Sequence, residues 1–242
     1  MNSINRYYLP EDQWSSCELV LTGDEAHHCT RVLRQKVGDA VVVFDGVGRS
    51  VQCKVVSVDK SKVILEKDGE IEIQPRGLAL HLCQAIPKSG NMELIVQKAV
   101  ELGVASIQPL MTENTVAKAD GKKLQKWQRI VLEACKQCGQ NWLPEVKPVA
   151  QFNEWVDSRE KYQLEIVAAL DPRSEVIKVV LERQCEISSA TLLVGPEGDL
   201  SQSEYDAAIA SGYHPVSLGE IVLRVETATL YCLSVLSYEY AK

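Results

Sequence analysis

Up to residue 72 the apolar positions come in short, valine-rich runs broken by glycine and aspartate. Glu18–Leu21, Ala40–Phe44, Val51–Val58 and Val63–Glu66 read as strands, because β-branched residues suit a pleated, half-buried surface. Asp45-Gly46 and Val47-Gly48 supply hairpin turn chemistry. One helix interrupts: Thr22 to Glu25 spells a capping box, and Ala26–Leu33 follows it. Strands of this length and spacing predict a small β-barrel domain over 1–72. Glu70–Arg76 is the expected junction, with Pro75 closing the barrel.

From Gly77 the pattern changes to apolar runs alternating with amphipathic stretches. Leu78–Ala85, Val104–Leu110, Val146–Val149, Leu164–Leu170, Thr191–Val194 and Tyr213–Leu218 read as strands. Between them the 3.6-residue period predicts helices over Ser89–Leu102, Lys122–Gly139, Phe152–Ser158, Val176–Arg183 and Ser201–Ala210, with Glu226–Tyr240 closing the chain. Ser89 is the expected N-cap of the first of these, with Gly103 just past its end, and Ser201-x-x-Glu204 is a capping box. Buried strands separated by helices predict an α/β domain over 73–242, with a mostly parallel sheet and helices on both faces.

Composition narrows the class. The chain has 242 residues, is 45% hydrophobic and 24% charged, and is therefore globular. No apolar run approaches the roughly 20 residues of a membrane helix. Met1–Pro10 has no apolar stretch of the secretory kind, so a soluble, cytoplasmic protein is expected. Net charge is −7, which argues against a uniformly nucleic-acid-coated surface. Residues 26–63 nevertheless carry seven basic and three acidic side chains, a local +4, and 118–129 carry five basic and one acidic. The eight cysteines are expected to be reduced thiols, with Cys135 and Cys138 as a buried pair on one helix face. No metal site is expected: adjacent helical residues such as His27, His28 and Cys29 point to different faces.

In parallel α/β sheets ligands bind beyond the carboxyl ends of the strands. Three loops fall there: Leu170-Asp171-Pro172, Gly195-Pro196-Glu197-Gly198, and Leu218 to Arg224. The second has two glycines that allow close backbone approach, and Pro196 to stiffen it. The third carries Ile221, Val222 and Leu223, an apolar loop that needs cover from a partner subunit or from a ligand with an apolar face such as adenine. No dinucleotide fingerprint, phosphate-binding P-loop or serine nucleophile elbow is present.

The runs Leu192-Leu-Val-Gly-Pro-Glu-Gly198 and Leu218-Gly-Glu-Ile-Val-Leu-Arg-Val-Glu-Thr-Ala228 resemble the two C-terminal motifs of the RsmE family. The rest of the chain is similar in order. His28-x3-Val32-Leu33-Arg34, Phe44-Asp45-Gly46, Lys88 with Met92-Glu93, Gln97-Lys98-Ala-x-Glu101-Leu-Gly103 and Trp127-x-Arg129-Ile130-x2-Glu133-Ala134 all match the family pattern. That family belongs to the SPOUT superfamily and methylates N3 of a uridine in 16S, small-subunit ribosomal RNA. The resemblance implies an RNA-binding, PUA-like β-barrel followed by a trefoil-knotted domain, S-adenosylmethionine as cofactor, and a homodimer. The apolar residues Leu230, Tyr231, Leu233, Val235, Leu236 and Tyr238 of the last helix cover more than one stripe and are expected to join its interface. It implies cofactor contacts from Leu170, Gly195, Pro196, Glu197, Gly198, Leu218, Gly219, Ile221 and Leu223. RNA contacts are expected from Arg6, His28, Arg31, Arg34 and Lys88. Arg31 and Arg34 would be i, i+3 neighbours on one helix, able to straddle a phosphate backbone.

The catalytic assignments are Arg224, to stabilise charge on the base oxygens, and Glu226, as base or as an orienter of Arg224. Glu197 is expected to orient its loop. The chain departs from the family pattern in places. Asp199-Leu200 stand where the family has Gly-Phe, Gln140 stands at a common arginine position, and Thr112-Glu113-Asn114-Thr115 replaces a basic segment. Three alternatives stay open: a SPOUT enzyme acting on another RNA or a ribose 2'-hydroxyl, a non-catalytic RNA-binding ribosome assembly factor, and a small-molecule α/β enzyme.

Overall fold

The computed structural model describes residues 4–14, 18–59, 61–88, 90–117 and 121–240. It divides into two compact units, Met1–Arg76 with Leu132–Leu143, and Gly77–Val131 with Pro144–Lys242.

The first unit holds β1 (Asn5–Tyr8), β2 (Glu18–Thr22), α1 (Gly23–His27), β3 (Ala40–Phe44), β4 (Arg49–Val58), β5 (Lys62–Lys67) and β6 (Glu72–Ile73). Its described strands form one mixed sheet in the order β1-β3-β4-β5-β2, with β6 beside β4. Only β1 and β3 run parallel, and no described pairing joins β1 to β2, so the sheet is a half-barrel open on one side. Alternation along β4 buries Val51, Cys53 and Val55 and turns Gln52 and Lys54 outward, as a one-faced sheet requires. The predicted hairpin joins β3 to β4. Asp45 Oδ1 accepts from the Val47 and Arg49 N–H groups at 2.8 and 2.9 Å. Gly48 must be glycine there: φ is +103°, and a Cβ would stand 2.4 Å from the Trp142 ring.

Several expectations for this unit need correction. The short, polar strand β1 was not anticipated. The junction segment contributes β6 rather than only a linker. The capping box at Thr22 does not form, because no side chain caps α1. Glu25 is drawn elsewhere: Oε2 accepts from the Tyr8 N–H at 3.1 Å, and Oε1 pairs with Lys136. The helix also ends early. His28–Val32 form a wider π-type turn, in which the Leu33 N–H donates to the His28 carbonyl. Arg34 then takes φ +53°, so Arg31 and Arg34 do not share one helix.

The second unit begins β7 (Ala79–Ala85), α2 (Asn91–Glu101), β8 (Val104–Met111) and α3 (Gly121–Cys138), whose last residues belong to the first unit. It continues β9 (Glu145–Val146), β10 (Ala150–Gln151), α4 (Phe152–Ser158), β11 (Leu164–Ala168), β12 (Glu175–Val176) and α5 (Ile177–Glu182). It closes with β13 (Ser189–Val194), α6 (Gln202–Ala210), β14 (His214–Ser217) and α7 (Val225–Glu239). The strand order is β10-β8-β7-β13-β11-β14-β12, with β9 beside β8, and every described pairing is parallel.

Helices cover both faces. Cys83, Val167 and Leu193 join a core with Phe152 and Trp155 of α4 and Tyr205 and Ala208 of α6. On the opposite face Gln84 meets Thr229 of α7. Helix α2 buries Met92, Ile95, Val96, Ala99 and Val100, the i, i+3, i+4, i+7, i+8 stripe of an amphipathic helix. Gly103, at φ +81°, ends it. Ser89, its expected N-cap, lies outside the described residues. The Ser201–Glu204 capping box is formed in both directions. Two smaller differences are local. Val146–Val149 resolves into β9 and the separate β10, and Val176 pairs in β12 instead of opening a helix. Cys135 is buried but Cys138 is exposed. Cys138 is the last residue of α3.

Candidate active site

Strands β13, β11 and β14 all point their carboxyl ends the same way, and β11 lies between the other two. The loops that follow them therefore meet at one edge of the sheet and line a cavity of about 490 Å³. That volume falls in the ~300–1,000 Å³ range of small-molecule sites. Its floor is Ala168, Ala169 and Val194. Its walls include Gly195, Pro196, Glu197 and Asp199 on one side and Leu218, Gly219, Ile221, Val222, Leu223 and Arg224 on the other.

The turn after β13 is tied on every side. Asn114 Nδ2 donates to the Gly198 and Asp199 carbonyls, both at 3.0 Å. The Asp199 N–H closes onto the Pro196 carbonyl at 2.9 Å. Glu197 Oε1 accepts the Lys88 backbone N–H at 2.8 Å, which ties this carboxylate to the chain before α2. Gly195 is the residue whose bareness matters, since a Cβ there would stand 3.1 Å from Leu200 N and 3.2 Å from Asp199 Oδ1. Gly198 is exposed, is absent from the cavity lining, and faces the Asn114 side chain instead.

The floor is braced from below. Buried Gln84 donates to the Ala85 carbonyl at 2.9 Å, and its Oε1 lies 2.7 Å from the Thr229 hydroxyl, which also lies 2.9 Å from the Val225 carbonyl. This fixes the first turn of α7, where Glu226 sits. Asn91 Nδ2 donates to Glu226 Oε2 at 3.2 Å, and both residues line the cavity. Arg224 is the N-cap residue of α7. Its exposed guanidinium lines the cavity and enters none of the ion pairs found among the described residues. Leu170 is 64% exposed at the rim. Beside it Asp171 is clamped by Arg173, whose side-chain and backbone hydrogen bonds hold the carboxyl well below the usual carboxylate range.

The residues expected to touch RNA are scattered. Lys88 is exposed, and its backbone reaches the cavity wall through Glu197. In the first unit, Arg31 and Arg34 are exposed and enter no described ion pair. His28 is half-buried edge-on to Tyr7, with ring centroids 6.4 Å apart. Arg6 is a correction: its guanidinium donates to Asn141 Oδ1 and lies over the Phe44 ring at 5.1 Å, turned inward and committed to packing. Sequence reasoning missed Asn91, Asn114 and Tyr205. Each is a lone polar residue whose partner is distant in sequence or across a turn. Among the described residues no group of three His, Cys, Asp or Glu is placed to hold a metal.

Residues 74–237 match the family model described as an RNA methyltransferase domain, and residues 21–68 the one described as an RNA methyltransferase PUA domain. The two matched segments are thus those of a two-part RNA methyltransferase. A Synechocystis protein named ribosomal RNA small subunit methyltransferase E is 34% identical over 233 residues, covering 95% of this chain and 76% of the relative. Its Bacillus subtilis namesake is 30% identical, covering 90% and 89%. A Neisseria gonorrhoeae ribosomal RNA small subunit methyltransferase E, solved bound to S-adenosyl methionine, superposes with a TM-score of 0.87 at 29% identity over 98% of both chains. A Legionella pneumophila structure in complex with SAM gives 0.88 at 32%, again over 98% of both. This chain belongs to the ribosomal RNA small subunit methyltransferase E family.

Proposed function

We propose that the chain uses S-adenosylmethionine to methylate N3 of a uridine in 16S ribosomal RNA, working as a cytoplasmic homodimer. The observation that carries the chemistry is an unpaired guanidinium, Arg224, at the rim of a cavity with one glycine-rich and one apolar wall. The SAM-bound Neisseria relative supports the cofactor, and the relatives' names support the small-subunit rRNA substrate. The uridine N3 position rests on the family resemblance of the motifs around Gly195 and Arg224.

The lining fits the cofactor. Gly195 and Pro196 would admit close backbone contact, and Leu218, Ile221 and Leu223 would cover an adenine face. When bound, the cofactor supplies an electrophilic methyl group on a sulfonium. The protein's part is position and field. N3 lies on the pairing edge, so the base must be unpaired and splayed out. As its imide proton leaves, negative charge spreads onto O2 and O4. A guanidinium with paired donors, in none of the ion pairs found among the described residues, is suited to stabilise that charge. Glu226 is held by Asn91 in the first turn of α7, two residues after Arg224.

The half-barrel is proposed to hold RNA. Exposed Arg31 and Arg34, on successive turns of the chain and not on one helix, would contact phosphates, and Lys88 would do so beside the cavity. The dimer reading rests on α7, which leaves Tyr231 at 43% and Tyr238 at 85% exposure, and on the uncovered loop before it.

The test incubates the protein with methyl-labelled cofactor and either small subunits or naked 16S rRNA, followed by nucleoside mass analysis. A single 3-methyluridine is expected. A 2'-O-methyl product, or methylation of another base, would overturn the N3 assignment.

A further inference from the structure

Asp199 stands where the family pattern has a second glycine, and it keeps a glycine-like backbone with φ +60°. A non-glycine residue in that region costs about 1–3 kcal/mol unless its surroundings hold it. Here they do. Its N–H and C=O are tied to Pro196 and Asn114, and its Oδ1 accepts from the Leu200 N–H at 2.8 Å and the Tyr205 hydroxyl at 2.6 Å. Tyr205 is 4% exposed, and burial together with the adjacent carboxylate pushes its phenol far up, so it remains a donor. No described residue donates to Oδ2. Asp199 lines the cavity beside buried Gly195.

The cavity's charges are unbalanced. Glu197, Asp199 and Glu226 line it against Arg224 alone. Each carboxylate is held by neutral donors: a backbone N–H, a phenol with a backbone N–H, and a side-chain amide. None of the three enters an ion pair among the described residues. The wall thus presents uncompensated negative charge to whatever enters.

We propose that Asp199 makes this cavity distinguish S-adenosylmethionine from its demethylated product by charge, favouring the sulfonium over the neutral thioether. The inference rests on the cofactor reading above and adds a specificity residue to it. In the transfer, the N3–H bond breaks with its proton passing to Glu226 or to solvent, the carbon–sulfur bond breaks with its electron pair left on sulfur, a nitrogen–carbon bond forms, and the ligand loses its methyl group and one positive charge. Apart from the methyl group the rest of the ligand is unchanged, so a charge on the wall can separate the two forms. A unit charge in partly screened surroundings is strong enough to set a preference of about tenfold. The product then leaves a cavity that no longer attracts it.

The test is calorimetric titration of both ligands, without RNA, into the wild type, Asp199→Asn and Asp199→Gly. The asparagine keeps an oxygen for Tyr205 and Leu200 and removes only the charge. S-adenosylmethionine should bind it about tenfold more weakly, while the product changes less than twofold, and the difference should shrink at high salt. Asp199→Gly relieves the left-handed backbone but also removes the acceptor for Tyr205, and should lose the same preference. Equal weakening of both ligands, or an unchanged preference in both variants, would show that Asp199 only shapes the turn, and the inference falls. A folded wild type that binds neither ligand would instead overturn the cofactor reading itself, and this inference with it.

Discussion

The two long walls of the cavity are built on opposite principles. The turn from Gly195 to Leu200 buries Gly195, Pro196 and Leu200, and is strapped by Asn114, Tyr205 and the Lys88 backbone. The loop from Leu218 to Arg224 has little of this. Ile221 and Val222 are 79% and 69% exposed, and the Ser217 hydroxyl near Gly219 is its main polar anchor. The first wall is organised before any ligand arrives. The second exposes apolar surface that water disfavours, so it gains most from being covered. One wall is thus rigid and the other adaptable.

The largest expected effect tests the end of the adaptable wall. Arg224→Ala should lower the single-turnover rate at saturating RNA by about a hundredfold, the scale of losing one oxyanion-type donor. Cofactor affinity should not fall by calorimetry, since a positive charge facing the sulfonium is removed. Loss of cofactor affinity alone would make Arg224 a binding residue and leave the wall without a catalytic part.

Next in size is the cover itself. The double variant Ile221→Asp, Val222→Asp should weaken self-association by about thirtyfold, near 2 kcal/mol, if a partner buries these side chains. Light scattering across concentration measures it. A wild type that is monomeric at micromolar concentration would leave ligand alone as the cover.

The strapped wall should give a smaller response. Asn114→Ala removes two hydrogen bonds to the turn and should raise the Kd for S-adenosylmethionine about fivefold, near 1 kcal/mol. An unchanged Kd would mean the turn holds its shape without this strap. The smallest effect is expected outside both walls. Arg34→Ala should leave cofactor affinity alone and reduce the salt dependence of RNA binding by about one unit of slope. If the variant keeps wild-type RNA binding across salt, the half-barrel's grip lies elsewhere.

Local patterning carried far in this chain. The runs around Ala79–Ala85, Leu164–Ala168 and Ser189–Val194 are apolar enough to be buried strands whatever surrounds them, and Ser201 with Glu204 closes a cap using neighbours three residues apart. The loops at the strand ends were legible for the same reason, since turn chemistry and an apolar run are local features. Where a nearby residue competed, local rules failed: Glu25 left its cap for Tyr8 and Lys136, and the helix widened and stopped before Arg34.

Only the tertiary structure decided which loops meet. Placing β11 between β13 and β14 is a choice of strand order, and no periodicity along the chain encodes it. The same choice brings Asn91 to Glu226 and Gln84 to Thr229, and lets Asn114 hold the turn that carries Asp199. It is also packing that turned Arg6 inward onto Asn141 and Phe44. A hydrogen bond between residues a hundred positions apart leaves no mark on the spacing of either, because each side chain is selected for a neighbour that exists only once the sheet has formed.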